Sequence, residues 1–179
     1  AVAGGSLEII RILCQKGVDF SYCLRDAALY CRYDVFKWII NVNTPPENEL
    51  RGALFDSVST SLKSFNYIIL DLILTSYYNH IITIVPKLLY SAVDTRNYIL
   101  MNLFIELQEK LSDDLKLETK ELLLNNERNE GHLLAKAAAN YDLEMVKCIL
   151  KLGYSEINEK DSLGETVLHK CAIRNSIDC

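Results

Sequence analysis

The stretch DSLGETVLHKCAIRN, residues 161–175, decides how the chain is read. A Gly-x-Thr turn, Gly164 to Thr166, runs into Leu168-His169 and then into the small pair Cys171-Ala172. Gly164 fits a turn of positive φ, which glycine adopts without a steric penalty. Thr166 is placed to cap a helix by accepting from a backbone N–H two or three residues on. The small pair lies three and four residues after Leu168. Small side chains at that spacing share one helix face and let a second helix approach closely.

The same arrangement recurs along the chain. Leu24 is followed by Ala27-Ala28, Leu89 by Ala92-Val93, and Leu134 by Ala137-Ala138. Leu54 with Ser57-Val58 is a degraded copy. Downstream of these segments, or preceding them at the N-terminus, lies a more apolar helical pattern. It reads SLEIIRIL from Ser6, YDVFKWII from Tyr33, YIILDLIL from Tyr67, YILMNLFI from Tyr98 and LEMVKCIL from Leu143. One polar residue interrupts each: Arg11, Lys37, Asp71, Asn102 and Lys147. The pattern predicts a buried helix with one exposed position. Equivalent positions Leu7, Tyr33, Tyr67, Tyr98 and Leu143 are separated by 26, 34, 31 and 45 residues. The unit is therefore a helix with a small-residue face, a tight turn, and a second helix, joined to the next unit by loops of varying length.

Residues Asp161, Gly164, Thr166, Leu168, His169, Cys171 and Ala172 resemble the first half of an ankyrin repeat. LEMVKCILKLGYSEIN, with Gly153, resembles the second helix of that family and its terminal glycine. The resemblance is strong over 133–179, good over 1–40 through GGSLEIIRILCQKGVDF, and limited to apolar spacing over 41–132. Val167 stands where the family has proline, and Arg25, Tyr90 and Ala135 hold the place of the histidine. The resemblance implies an all-α solenoid of stacked helix-turn-helix repeats with irregular hairpins. Residues 1–179 are expected to form one array, cut at both ends from a longer protein. Its approximate repeats are 1–20, 21–46, 50–82, 86–110, 132–158 and 161–179.

Three segments break the period. In 41–50, Pro45-Pro46 excludes helix at Thr44 and marks a loop. Residues 75–86 read as a long hairpin-like connection or an added turn of helix. The insertion 106–132 is acidic and contains SDDLKLETKELLL. There Ser112 is a candidate cap, and Asp113 and Asp114 suit the positive end of a helix expected over 113–124. The acidic face reads as solvated, or as a docking surface for a basic partner.

Composition narrows the function. The net charge of −5 argues against nucleic acid, which requires a basic stripe. No apolar run approaches the roughly 20 residues that cross a bilayer, and the N-terminus carries no signal-peptide pattern. Cys14, Cys23, Cys31, Cys148, Cys171 and Cys179 form no Cys-x-x-Cys pair, and their apolar neighbours mark them as packed free thiols. A reducing, cytoplasmic location follows as an expectation. No catalytic motif is present: His169 and Cys171 are too close on one helix to share a metal, and there is no phosphate loop or nucleophile elbow. Cofactor, metal, small-molecule substrate and membrane insertion are not expected.

The expected function is binding to other proteins, without catalysis in this segment. The resemblance places contacts at the ends of the first helices and at the hairpin tips. The end residues are Leu29, Tyr30, Asp94, Thr95, Asn140, Ile173 and Arg174, and the hairpin residues Ser162, Leu163 and Glu165. The alternative is a regulatory repeat region of a larger enzyme or membrane protein whose active domain lies elsewhere.

Overall fold

A computed structural model describes residues 1–20, 22–42, 67–130, 132–154, 157–158, 160 and 163–173, the side chains of 127–130 excepted. The loop at Pro45-Pro46, the degraded copy at 53–58, Cys179 and the candidate contact residues Ser162 and Arg174 lie outside the described residues.

Among the described residues every regular element is a helix, and the chain is all-α there. The helices are α1 (Leu7–Gln15), α2 (Leu24–Leu29), α3 (Tyr33–Val42), α4 (Tyr67–Ser76) and α5 (Tyr78–Ile81), with a 3-10 turn at Ile82–Ile84. They continue as α6 (Val85–Asp94), α7 (Tyr98–Lys110), α8 (Asp113–Glu130), α9 (Leu133–Ala139), α10 (Leu143–Leu152) and α11 (Val167–Ile173). Residues 75–86 thus take the helical of the two expected forms, with Pro86 in the first turn of α6, where its missing N–H leaves no bond unmade. The helix of the acidic insertion runs past Leu124 to Glu130.

One turn geometry joins first helix to second in three places. After α2, the Arg32 N–H donates to the Ala27 carbonyl at 2.8 Å and the Cys31 N–H to Ala28 at 3.1 Å. After α6, Asn97 donates to Ala92 at 2.8 Å and Arg96 to Val93 at 3.3 Å. After α9, Asp142 donates to Ala137 at 3.2 Å and Tyr141 to Ala138 at 3.0 Å. These paired bonds are the Schellman helix stop, which needs a left-handed residue. Cys31, Arg96 and Tyr141 supply it with φ of 54°, 51° and 57°. Gly5, two residues before α1, holds the equivalent place with φ 75°. The following residue then caps the second helix: Ser6 accepts from Ile9 N–H, Asn97 from Leu100 and Asp142 from Met145.

The small pairs meet their packing role. Ala27, Ala28, Ala137 and Ala138 are fully buried, and so are Ala92 and Val93 within 1 %. The last pair differs: Cys171 is buried and Ala172 exposed. The interrupting residues Arg11, Lys37, Asp71, Asn102 and Lys147 are all exposed. A second exposed position, three residues earlier, was not expected: Glu8, Asp34, Ile68, Ile99 and Glu144. Positions three apart share a helix face, so α3, α4, α7 and α10 show an outer stripe rather than one residue. Helix α1 is open more widely than expected, with Ile9 and Ile12 also exposed and only Ile10 buried.

The chain divides into two compact units, Ala1–Ile82 and Thr83–Cys179. In the first, α3 lies between α2 and α4, and α5 packs on α4. Its core is Leu24, Phe36, Ile39, Ile69, Leu70, Ile73 and Ile81. Each fully buried side chain of this size contributes about 1.5–3 kcal/mol. In the second unit the first helices α6, α9 and α11 form a row, with α9 in the middle. The second helices α7 and α10 pack on each other behind it, each against its own first helix. The inserted helix α8 lies on α6.

Candidate functional site

The first-helix ends carry the residues expected to make contacts. In the first unit Leu29 ends α2 at 45 % exposure, and Tyr30, the next residue, is 50 % exposed. In the second unit Asp94 ends α6 and is exposed, but its carboxylate is engaged by Lys136 Nζ at 3.0 Å. Such a surface pair contributes about 1 kcal/mol or less. Thr95 is exposed, and its hydroxyl donates back to the Ser91 carbonyl at 2.7 Å. Asn140 is half-buried, and its backbone carbonyl accepts from Arg96 Nη2 at 3.1 Å. Leu163, beside Gly164 at the turn, is 76 % exposed, and Ile173 at the end of α11 is 68 % exposed. Glu165 is half-buried and pairs with Lys170. Of the described candidate contact residues, Leu29, Tyr30, Leu163 and Ile173 therefore present apolar or aromatic surface to solvent.

Gly164 takes the left-handed conformation, φ 76°. At the start of α11 the His169 ring reaches back to Thr166, a contact not expected from the sequence. The His169 Nδ1 accepts the Thr166 backbone N–H at 3.2 Å and lies 2.8 Å from the Thr166 hydroxyl. A side chain three residues into the helix reaches back to the capping residue, as glutamate does in a capping box. The role of His169 is thus local and structural.

A cluster not foreseen from the sequence joins the two second-unit turns. Asp142 is 6 % exposed, and its carboxylate takes the Tyr98 hydroxyl at 2.8 and 2.9 Å, besides capping α10 through the Met145 N–H at 3.0 Å. Arg96 Nε lies 3.6 Å from the same carboxylate. The hydrogen bond to Asp142, then burial, then the negative charge of that carboxylate raise the Tyr98 phenol above its ordinary value. The Lys136 ammonium sits 5.3 Å from the centre of the Tyr90 ring, a cation–π distance. The sequence pattern assigns Tyr98 to the core, whereas it is 38 % exposed and acts through its hydroxyl. The available signal was the matched pair Asn97-Tyr98 and Asp142-Leu143, a capping residue directly before each second helix. Trp38, also expected in the core, is half-buried and meets Phe20 edge-on at 6.2 Å between ring centres.

Among the described residues no three His, Cys, Asp or Glu side chains converge as metal ligands. Cys14, Cys23, Cys31, Cys148 and Cys171 are free thiols. Burial raises Cys23 and Cys148 above the ordinary thiol value, which makes them less reactive. Cys31 departs from the packed pattern and is exposed. Among the described residues no single helix is long and apolar enough to cross a membrane. Compared with known proteins, the chain matches no family model, no curated protein and no solved structure.

Proposed function

We propose that the chain is a run of ankyrin-like repeats that binds other proteins through its first-helix ends and the turn at Gly164. The observation that supports this reading is a constant frame carrying variable side chains. The same left-handed stop follows α2, α6 and α9, and the two residues before it are Leu29-Tyr30, Asp94-Thr95 and Ala139-Asn140. A backbone geometry kept in each copy, with an apolar, a charged and a polar pair upon it, suits a surface that recognises a partner by side-chain choice. In an ankyrin-like array the first-helix ends of each unit would line the concave face of that unit. Tyrosine is the best anchor among them, because it buries a large area and loses little rotamer freedom. No reaction is assigned to the segment, and no cofactor is invoked.

The test is capture of partners from cell extract by the chain and by a Leu29→Ala/Tyr30→Ala variant, compared by quantitative mass spectrometry. Lys151→Ala, exposed on α10, is the control. An anchor lost from an interface centre costs about 2 kcal/mol, roughly thirtyfold in affinity. The double variant is expected to lose its specific partners while its melting temperature stays within a few degrees, since neither residue is in the core. Unchanged capture by the double variant, with the control equally unchanged, would refute binding at this end.

A further inference from the structure

The inserted helix α8 is lightly attached. It has 18 residues, yet among its described side chains only Thr119 and Leu123 are buried. By contrast α6, the 10-residue helix on which it lies, buries seven of its residues. The inward stripe of α8 runs Leu115, Thr119, Leu122, Leu123 and Asn126, the spacing of one helix face. Two of those five are polar. The Thr119 hydroxyl donates to the Leu115 carbonyl of its own helix at 2.7 Å. The Asn126 Nδ2 is buried without a hydrogen-bond partner among the described residues. A buried, unpaired amide destabilises the docked position. The outer face is charged, with Asp113, Asp114, Glu118 and Glu121 exposed.

The helix beneath is unusual for its place in the repeat. Tyr90 of α6 stands where Arg25 and His169 are exposed and Ala135 is half-buried, but Tyr90 is 3 % exposed. The Tyr90 ring meets the Lys136 ammonium of α9, and α6 buries a position that the other first helices leave exposed or half-buried.

We propose that α8 is a reversible cover, seated in cis on a helix-binding surface of α6. In the open state that surface accepts an amphipathic helix from a partner, with leucines at the α8 spacing on its inner face. Local opening proceeds from helices with few buried contacts, and α8 meets that description. In the closed state tethering gives α8 a millimolar effective concentration, so it excludes all but stronger helices. The exchange is a property of helix packing and does not depend on the repeat assignment.

Native-state hydrogen exchange of the intact chain tests the cover. The α8 amides are expected to exchange at least a hundredfold faster than those of α10. Exchange of α8 in step with α10 would overturn the proposal. The binding surface is tested with Leu123→Asp, which removes the main buried contact of α8. In this variant α8 and the face of α6 are expected to lose protection while α10 keeps it. A synthetic peptide of residues 112–130, added at millimolar concentration, should then restore protection to α6. The same peptide carrying Leu123→Asp should not. Failure of the unmodified peptide to restore it, with α10 still protected, would refute the docking surface. If Leu123→Asp unfolds the whole unit, α8 is integral rather than a cover, and the proposal falls.

Discussion

Removing the Asp142 carboxylate should loosen the second unit more than its single surface-facing neighbours would lead one to expect. The side chain does three things at once: it caps α10 through Met145, receives the Tyr98 hydroxyl from α7, and faces Arg96. A lost cap costs about 1 kcal/mol. A hydrogen bond to a buried charge contributes about 1.5–3 kcal/mol, and the partial exposure of Tyr98 lets water replace part of it, leaving about 1–2 kcal/mol. The Arg96 pair, long and exposed on one side, adds little. Asp142→Ala is therefore expected to cost about 2–3 kcal/mol, and Tyr98→Phe about 1–2 kcal/mol. Because both changes delete the same bond, they should not add. The double variant should be only slightly worse than Asp142→Ala, with a coupling of about 1 kcal/mol or more. Urea unfolding of the four proteins measures this cycle. Additivity within about 0.5 kcal/mol would refute the latch. The bond also has a pH signature. The Tyr98 phenol is raised in the folded state, so its contribution is fully present below the unfolded value of about 10. It fades as pH rises through the folded value. Wild type should thus lose part of its stability advantage over Tyr98→Phe in strongly alkaline buffer.

Three further outcomes are expected. Ala28→Leu should destabilise by about 1–3 kcal/mol in chemical denaturation, since Ala28 is fully buried on the small face of α2. Tyr141→Gly should stabilise by up to about 1 kcal/mol, because a bulky residue now holds a left-handed conformation that glycine takes freely. Thermal melts would detect the rise, and a fall would mean that the Tyr141 ring contributes more than its strain costs. His169→Ala should cost about 0.5–1 kcal/mol by freeing the Thr166 N–H at the start of α11, with faster amide exchange confined to that turn.

The sequence by itself determined where most helices lie and which of their faces turn inward. Apolar residues at helical spacing have one low-energy solution, and Ala27-Ala28, Ala92-Val93 and Ala137-Ala138 were legible as contact faces because no other residues allow so close an approach. Gly164 was legible for the same local reason. The turns were not. Cys31, Arg96 and Tyr141 carry no signal for a left-handed stop, since glycine is the usual marker. Among the described turns before a second helix Gly5 alone supplies it, while Gly17 and Gly153 mark the ends of α1 and α10. Those conformations are imposed by the two helices that must meet on either side. The candidate contact residues were legible as positions, but not as surfaces. Leu29 and Tyr30 stay open, whereas the Asp94 carboxylate is engaged by Lys136 and the Asn140 backbone carbonyl by Arg96, residues 42 and 44 positions away in sequence. The Tyr98–Asp142 latch and the seat of α8 on α6 are likewise contacts between segments far apart in the chain. Local chemistry places a helix and its caps. Only packing brings a phenol to a carboxylate, or lays an acidic helix on α6, because the partner of each group is set by the fold and not by its neighbours in sequence.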